Sequence, residues 1–358
     1  MERKWEIIEL GKLVKILDKF RRPVTKKDRA KGSYPYYGAT GIQDYVDSYI
    51  FDGRYLLVGE DGAKWMSGDK SAFIIEGKSW VNNHAHVLKV GNSLIDKYLE
   101  FFLIHKDLSE YITGAIIPKL TQQSLKSIPI PVPPLPVQAR IVDELDCLQG
   151  ILSKKRQQLA EYHSLAQAIF HQMFGDPVVN EKGWEVKRLG EITNNLDSKR
   201  KPITKKDRKE GIYPYYGASG ITDYVEGFIF DGNYLLVSED GANLLTRTAP
   251  IAFLALGKIW INNHVHVMQC DNIASHTYIQ YHLNQITLKK YISGSAQPKL
   301  NQEKLNSIPI PFPPLPLQQS FANRIAVINN QCESLNKSIH EMETLLATRM
   351  DKLLNMDC

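Results

Sequence analysis

The sequence of 358 residues has no long hydrophobic run, because no stretch of about 18 apolar residues occurs in it. Its first residues, Met1 to Glu6, carry charges of both signs and no apolar segment. We therefore expect neither a signal peptide nor a membrane anchor, and we infer a cytoplasmic location. The four cysteines lie far apart without Cys-x-x-Cys spacing, which argues against a zinc ribbon and a disulfide framework.

The motifs of several enzyme classes are also missing. The chain contains no Gly-x-Gly-x-x-Gly run, no P-loop and no Asn-Pro-Pro-aromatic methylation motif. Nucleotide hydrolysis and methyl transfer thus have no evident site, and we expect a non-catalytic protein without a cofactor or a bound metal. With 43% hydrophobic and 23% charged residues the chain has the composition of a globular protein, and its length favours two domains.

The sequence repeats itself once. Between Tyr34–Ala63 and Tyr213–Ala242, 23 of 30 positions are identical, at an offset of 179. After one extra residue in the second copy the offset is 180, so that Asn82-Asn-His84 recurs as Asn262-Asn-His264 and Pro118-Lys-Leu120 recurs as Pro298-Lys-Leu300. Two copies of one unit are too few and too long for a solenoid. The two expected domains are therefore one unit used twice.

The first part of each copy has the pattern of a mixed α/β domain. In the first copy, β-branched and aromatic runs at Tyr55–Val58, Ala72–Ile75 and Val81–Val87 predict strands. The segment near Tyr98–Tyr111 predicts a helix. The prolines of the following Ile-Pro-Ile-Pro and Pro-Pro-Leu-Pro segments predict an extended lead-in, because proline disfavours helix.

A heptad pattern follows these prolines in both copies and predicts two long helices, each of about 38 residues and roughly 57 Å. We expect the helices to pair antiparallel about a pseudo-two-fold axis and to hold the two domains apart like a dumb-bell. The expected boundaries are 1–135 and 177–315 for the domains and 136–176 and 316–358 for the helices. The seam positions are Ile141, Leu145, Leu148, Leu152, Lys155, Leu159, Tyr162, Ala166, Ile169 and Met173 in the first helix and Phe321, Ile325, Ile328, Cys332, Leu335, Ile339, Met342, Leu346, Arg349 and Leu353 in the second.

Positive charge is concentrated in two equivalent segments. Residues 19–31 carry a net charge of +6 and residues 198–210 a net charge of +5, although the whole chain has only +5. Each segment precedes a Tyr-Pro-Tyr-Tyr-Gly-Ala sequence, and basic side chains beside tyrosine hydroxyls suit contact with DNA phosphates. The candidate DNA-binding residues are Arg21, Arg22, Lys26, Lys27, Arg29, Tyr36 and Tyr37 in the first copy and Lys199, Arg200, Lys201, Lys205, Lys206, Arg208, Tyr215 and Tyr216 in the second.

Base-reading contacts are expected where the copies differ. The segments 64–71 and 243–251 share no position, although nearly identical sequence precedes them. Lys64 and Arg247 are candidates for contact with guanine, and Asn243 is a candidate for contact with adenine.

The chain resembles the specificity subunits of type I restriction-modification systems. The resemblance covers the whole chain and lies in the duplication, in the Pro133-Pro-Leu-Pro-Val-Gln138 and Pro313-Pro-Leu-Pro-Leu-Gln318 segments and in the long helix after each. It implies a DNA reader whose two recognition domains each bind half of a bipartite double-stranded target. It also implies that the paired helices dock two adenine methyltransferase subunits, onto which endonuclease and translocase subunits assemble. Because these two domains are close copies, we predict similar half-sites that together are nearly palindromic.

Two other interpretations remain open at this point. One is a metal-dependent nuclease, in which Glu60, Asp61 and the pair His84 and His86, or the matching Glu239, Asp240, His264 and His266, bind a metal from one face of a strand. The other is a coiled-coil scaffold that binds proteins and no DNA. Salt-dependent binding to random duplex distinguishes a DNA reader from a scaffold.

Overall fold

The computed structural model describes residues 5–294 and 297–354, and the chain divides into two compact units. Unit 1 runs to Arg156 and includes the segment from Lys337, whereas unit 2 is Gln157–Asn336. Each unit therefore contains one mixed α/β domain and parts of both long helices. Among the described residues, no helix is both long and apolar enough to cross a membrane.

The domain of unit 1 is built on a six-stranded sheet with the strand order β2-β7-β5-β6-β3-β4, in which only β3 and β6 pair in parallel. A second, two-stranded sheet joins β1 to β10. The elements are β1 (Glu6–Glu9), α1 (Leu10–Leu13), β2 (Val14–Ile16), β3 (Lys31–Gly38), β4 (Gly41–Val46), β5 (Phe51–Gly59), β6 (Ala72–Val81), β7 (Ala85–Val90), α2 (Asp96–His105), β8 (Ile112–Thr113), β9 (Lys119–Leu120), α3 (Gln122–Lys126) and β10 (Pro129–Val132).

Both faces of the large sheet are buried. Side chains alternate along β5, so that Leu56 and Val58 join the core on the side of α2, while Leu57 joins a smaller core on the other face. All three side chains are fully buried. This double burial explains why the strand appears in the sequence as a continuous apolar run without alternation.

The domain of unit 2 repeats this arrangement, with the strand order β12-β17-β15-β16-β13-β14. It differs at α6, a short helix in the segment where the two sequences diverge. Its elements are β11 (Val186–Arg188), α5 (Leu189–Ile192), β12 (Asn194–Asn195), β13 (Glu210–Gly217), β14 (Gly220–Val225), β15 (Phe230–Ser238), α6 (Asn243–Thr246), β16 (Ala252–Ile261), β17 (Val265–Gln269), α7 (Ile273–Gln285), α8 (Gln302–Asn306) and β18 (Pro309–Pro311).

Two sequence-based boundaries were wrong. The run Val81–Val87 is not one strand, because a turn at residues 82–84 separates β6 from β7 and takes Asn82 out of the sheet. The helix expected to reach Tyr111 ends at His105, and residues Ser109–Tyr111 form a separate 3₁₀ turn.

The long helices are α4 (Leu135–Phe174) and α9 (Leu315–Leu354), of 40 residues each. Extended lead-ins precede them, but Pro136 lies inside the first turn of α4, where the missing proline N–H costs no helical hydrogen bond. Gly175 ends α4 in the left-handed conformation, with φ of 79°, and its N–H donates to the His171 carbonyl at 2.8 Å.

The helices run antiparallel. In unit 1, Glu144 pairs with Arg349, and Lys155 Nζ donates to Ser338 Oγ at 2.8 Å, so residue numbers fall along one helix as they rise along the other. In unit 2, the rings of Phe170 and Phe321 pack at 5.6 Å. The mixed α/β class, the tandem repeat and the antiparallel helices predicted from the sequence are thus confirmed.

Burial along the seam shifts by one residue near the end of each helix. Of the candidate packing residues, the structure buries Ile141, Leu145, Leu152, Phe321, Ile325, Ile328, Leu335 and Ile339 and half-buries Leu148, Leu159, Ile169 and Leu346. Farther along, Phe170 and Phe174 are buried instead of Ile169 and Met173, as are Met350 and Leu354. A straight helix drifts about 20° per heptad, so a strict heptad pattern mispredicts the last turns.

A buried glutamine links each long helix to its domain. Gln138 Oε1 accepts from the Ile95 N–H at 2.8 Å, and Gln138 Nε2 donates to the Ser93 and Pro133 carbonyls. Gln318 accepts from Ser275 Oγ and donates to the Pro313 carbonyl. Both glutamines are 0% exposed. The glutamine of the Pro-Pro-Leu-x-x-Gln segment is therefore a structural anchor.

Candidate nucleic-acid interface

Each basic segment forms a loop that leads into the edge of the large sheet. The first loop lies between the 3₁₀ turn Asp18–Phe20 and β3. Its backbone is fixed, because Trp80 Nε1 donates to the Arg22 carbonyl at 2.6 Å, and in the second loop Trp260 donates to the Lys201 carbonyl at the same distance. Of the candidate DNA-binding residues in these loops, those exposed to solvent are Arg22, Lys26 and Lys27 in the first and Lys199, Lys201, Lys205 and Lys206 in the second.

One arginine in each loop is stacked on a buried tyrosine. The Arg29 guanidinium lies 4.2 Å from the centre of the Tyr36 ring and pairs with Asp44 at 3.1 Å. Arg208 has the same distances to Tyr215 and Asp223. The tyrosine hydroxyl accepts from a loop N–H, that of Val24 in the first copy, at 3.0 Å. These contacts give the loop a fixed conformation before any ligand binds.

The other loop arginine belongs to an internal ion-pair network. Arg21 pairs with Glu60 and with Asp18 at 3.3 Å, and its Nη1 donates to the Ala85 carbonyl at 2.8 Å. Its side chain is only 12% exposed. In the second copy Arg200 pairs with Glu239 at 2.6 Å and with Asp197 at 3.5 Å.

A buried histidine completes each network. His86 Nδ1 lies 2.6 Å from Asp18 Oδ2, and His86 Nε2 lies 2.7 Å from the Leu120 carbonyl. Both ring nitrogens therefore have an oxygen partner inside the domain. Burial alone would raise the pKa of Asp18, but the hydrogen bond and charge of His86, the Val87 N–H and the charge of Arg21 together outweigh it and lower the pKa below its usual value. Asp197 and His266 repeat this arrangement.

The acidic cluster that could hold a metal ion is already paired with lysine and arginine side chains of the protein. Ligand atoms of Asp18, Glu60 and His86 lie within 4.8 Å of one another, as do those of Asp197, Glu239 and His266. However, Lys119 Nζ is 2.7 Å from Glu60 and Arg21 contacts both carboxylates, so the acceptors needed by a metal are used by fixed positive charges. This charge pattern fits a structural network better than a metal site.

The expectation that His84 and His86 share one face of a strand was wrong. His84 lies in the turn before β7 and pairs with Asp61, whereas His86 lies in β7 and contacts Asp18. His264 likewise pairs with Asp240, at 2.8 Å, while His266 contacts Asp197. The two histidines of each pair therefore serve different carboxylates.

The tyrosines expected to contact DNA are held within the domain. Tyr36 and Tyr215 are each 1% exposed, so they position the loop instead of facing a ligand. Tyr37 and Tyr216 are half-buried against Phe73 and Phe253. Burial, with a smaller effect of a neighbouring tyrosine, raises the pKa of both Tyr37 and Tyr216.

The divergent segments present different surfaces. In the first copy Lys64 is exposed, and the adjacent Trp65 is buried with its Nε1 donating to the Gly59 carbonyl at 3.1 Å. In the second copy the Asn243 side chain is bonded to the backbone of Ala249 at 3.0 Å. Arg247 donates to the Ile286 carbonyl at 2.6 Å, and burial lowers its pKa. The Asn243 side chain thus stabilises its own loop, and Arg247 ties this loop to the end of α7.

Sequence reasoning missed the carboxylates that neutralise the loop arginines. Asp18 and Asp197 precede Arg21 and Arg200 by three residues, and this spacing is the one signal that could have found the pairs. Glu60 and Glu239 are more than 30 residues distant along the chain, and only the fold brings them to the arginines.

Comparison with known proteins agrees with this arrangement. The family model described as type I restriction modification DNA specificity domain matches residues 2–162 and again 181–344. A putative type I restriction enzyme specificity subunit from Haemophilus influenzae is 27% identical over 353 residues, covering 93% of this chain and 88% of the relative. The type I restriction enzyme MjaVIII specificity subunit from Methanocaldococcus jannaschii is 23% identical, covering 98% and 92%.

Solved structures share the fold. The S subunit of a type I restriction-modification system from M. genitalium superimposes with a TM-score of 0.64 at 16% identity, covering 98% of this chain and 96% of that one. A chain from a type I R-M system, described in terms of complex assembly and conformational transition, gives a TM-score of 0.51 at 15% identity.

The repeated domains, their matching basic loops and the paired helices are the features of a DNA-recognition protein. The chain belongs to the type I restriction-modification DNA specificity family, which its sequence resembles over its whole length. It is a non-catalytic specificity subunit that binds DNA and assembles with other subunits of the system. Neither the scaffold nor the nuclease interpretation is favoured.

Proposed function

We propose that each domain reads one half of a bipartite double-stranded target. The main support is that both copies expose the same kind of lysine-rich loop, which the same arginine–tyrosine stack holds in place. A preformed positive loop suits phosphate contact, which positions the domain on the duplex without reading the sequence. The proposed phosphate contacts are Arg22, Lys26 and Lys27 in the first copy and Lys199, Lys201, Lys205 and Lys206 in the second.

Base readout is assigned to exposed residues at which the copies differ. Lys64 is therefore proposed to contact a base, because its side chain is exposed. Arg21, Arg200, Arg29, Arg208, Tyr36 and Tyr215 instead hold the loops in shape, and Tyr37 and Tyr216 pack beside them. Asn243 and Arg247 shape the divergent loop of the second domain. Because the two domains are close copies outside these few positions, we expect the half-sites to be similar and together nearly palindromic.

The paired helices, in this proposal, set the gap between the half-sites and dock two adenine methyltransferase subunits, to which endonuclease and translocase subunits are added. Support comes from apolar side chains on the outer surface of the helices. Leu165 is 48% exposed and Leu345, its counterpart in the repeat, is 44% exposed. Large exposed apolar residues at equivalent places suit two equivalent partners. We place this assembly in the cytoplasm, together with the DNA that it reads.

Sequence-independent binding is tested by titrating the purified chain into random duplex DNA at several salt concentrations. For a protein that neutralises DNA phosphates, the logarithm of the binding constant falls linearly with the logarithm of the salt concentration. The slope is about −0.9 for each phosphate contact. A Lys26→Ala, Lys27→Ala double variant lowers the slope. A salt-independent interaction, or no binding at any salt concentration, contradicts the proposed phosphate contacts.

The target is tested by mapping methylated adenines in DNA from cells that express the chain with its partner subunits. The expected motif has two short, similar halves in inverted orientation, separated by a fixed gap. Two unrelated halves would refute the near-palindromic target.

A further inference from the structure

A short hairpin of the first domain has a counterpart in the second with matching pairs at its base, whereas the sequences of the two tips differ. In the first copy Thr113 pairs with Lys119 at the base of the hairpin. In the second Ser293 pairs with Lys299. Gly114 has a φ of 94° and Gly294 a φ of 81°, and a Cβ at either position would lie within 2.5 Å of a carbonyl oxygen across the turn. The sequences between these glycines and the following prolines are Ala115-Ile116-Ile117 and Ser295-Ala296-Gln297.

The tip of the first hairpin is apolar and exposed to solvent. Ile116 is 95% exposed and Ile117 is 67% exposed, so neither side chain packs substantially against the protein. At the position of Ile117 the second copy has Gln297, which is also exposed. Nothing within the first domain gains from two isoleucines here, which suggests that a partner molecule covers them.

The hairpin is rooted beside the basic loop. Lys119 Nζ, at its base, lies 2.7 Å from Glu60, and Glu60 also pairs with Arg21 of the basic loop. The next residue in that loop is Arg22, a proposed phosphate contact. Three residues of extended chain span about 10 Å. The tip therefore starts from the surface on which the first domain is proposed to hold DNA.

We propose that the hairpin tip is a base-reading element that makes the two half-sites differ at one position. This inference rests on the proposed function. Ile116 and Ile117 contact the C5-methyl group of a thymine in the half-site of the first domain, because an isoleucine side chain offers only apolar contact. Gln297 bonds to N6 and N7 of an adenine at the equivalent position of the other half-site. The target departs from a palindrome where thymine in one half corresponds to adenine in the other.

The test is to graft the second tip onto the first domain with Ala115→Ser, Ile116→Ala and Ile117→Gln. The variant and its parent, each assembled with the modification subunits, select duplexes from a randomised pool. The expected result is a change from thymine to adenine at one position of the first half-site, with every other position unchanged. Since the replaced side chains are largely exposed, the melting temperature stays the same, which serves as the folding control.

The reciprocal graft is the matched control. Ser295→Ala, Ala296→Ile and Gln297→Ile are expected to change adenine to thymine in the second half-site only. A direct probe uses the parent protein and a duplex in which the thymine is replaced by uracil, which lacks only the methyl group. We expect about fourfold weaker binding at that position, from the loss of one buried methyl group, and no change at the equivalent position of the other half.

The outcomes separate the two proposals. If the parent selects no sequence, the proposed function fails and the tip assignment fails with it. If the parent selects a bipartite target and both grafts leave every base preference unchanged, only the tip assignment is overturned. It is also overturned if the grafts weaken assembly with the modification subunits but leave base preference intact, because the tip then docks protein.

Discussion

The two domains agree in their ion pairs and basic loops and differ at the divergent segment and the hairpin tip. Arg21, Glu60 and His86 in the first domain have counterparts in Arg200, Glu239 and His266, with the same partners at similar distances. The divergent segment and the hairpin tip, in contrast, share almost nothing. A buried charge network tolerates little change, because removal of one partner leaves an uncompensated charge. Exposed loops on a fixed scaffold are free to vary, and in a DNA reader variation there changes the target.

The cores also differ at one place. Phe102 of α2 is a buried core residue in the first domain, and the equivalent residue of α7 is His282, which is 1% exposed. Neither ring nitrogen of His282 has a hydrogen-bond partner among the described residues, and burial lowers its pKa to about 4. The second domain therefore contains a pH-dependent instability that the first domain lacks.

The largest predicted effect is common to both domains. Arg21→Ala and Arg200→Ala each remove the guanidinium from two largely buried carboxylates, and each is expected to cost about 3–5 kcal/mol of stability in its own domain. Denaturant unfolding, with hydrogen exchange followed separately in peptides of each domain, measures these costs. The exposed neighbour Arg22→Ala is the control and is expected to change stability by less than about 0.5 kcal/mol. Unequal costs of the two arginine variants would show that the networks are not equivalent.

The second prediction is that the stabilities of the two domains depend differently on pH. The folded-state pKa of His282 is about 4, and an unfolded histidine has a pKa near 6.5, so between these values the unfolded chain binds a proton that the folded domain does not. The stability of the second domain therefore falls as pH decreases from about 6.5 to about 4, by about 3 kcal/mol in total. His282→Phe, which copies the first domain, is expected to remove the part of this loss that His282 causes, while the buried His276, whose pKa burial also lowers, remains.

Hydrogen exchange at pH 7 and pH 5 provides the measurement. Peptides of the second domain are expected to lose protection at the lower pH and those of the first domain to keep it. At neutral pH His282→Phe also stabilises, by about 1–3 kcal/mol, because two unpaired buried nitrogens are removed. Equal acid sensitivity of both domains in the variant and the parent would contradict this role of His282.

The third prediction concerns the glutamine anchors. Gln138→Leu leaves a partly buried backbone N–H and two carbonyls unpaired, and it is expected to cost about 1–3 kcal/mol. Gln318→Leu leaves only the Ser275 hydroxyl and the Pro313 carbonyl without a hydrogen-bond partner, so its cost is expected to be smaller. The melting temperatures of the two variants give the order, and a larger cost at Gln318 would reverse the comparison.

Much of the fold was predictable because the chain is duplicated. A strand or helix signal that occurs twice at a fixed offset is more reliable than one that occurs once, and the heptads and proline segments gave the long helices. The last turns were mispredicted, since Phe170 and Met350 also enter the cores that the long helices share with the domains. Periodicity along the sequence does not show where a globular domain meets a helix.

The candidate site was less predictable for an electrostatic reason. A count of basic residues treats every arginine alike, but Arg21 and Arg29 are neutralised by Glu60 and Asp44, and Glu60 is distant in the sequence. The hairpin tip was overlooked because two isoleucines in a sequence suggest a core. Only their exposure in the structure makes them unusual.

The smallest predicted effect tests whether the two basic loops contribute equally to DNA binding. Lys26→Ala with Lys27→Ala, and separately Lys205→Ala with Lys206→Ala, remove exposed positive charges, so stability is expected to stay within about 0.5 kcal/mol of the parent. Each double variant is expected to reduce the slope of the logarithm of the binding constant against the logarithm of the salt concentration. The reduction is about 0.9 for every phosphate that the loop no longer neutralises, and it is expected to be equal for the two domains. Fluorescence anisotropy at several salt concentrations measures both slopes. A reduction in only one domain would mean that the shared loop architecture does not give both domains the same contacts with the DNA backbone.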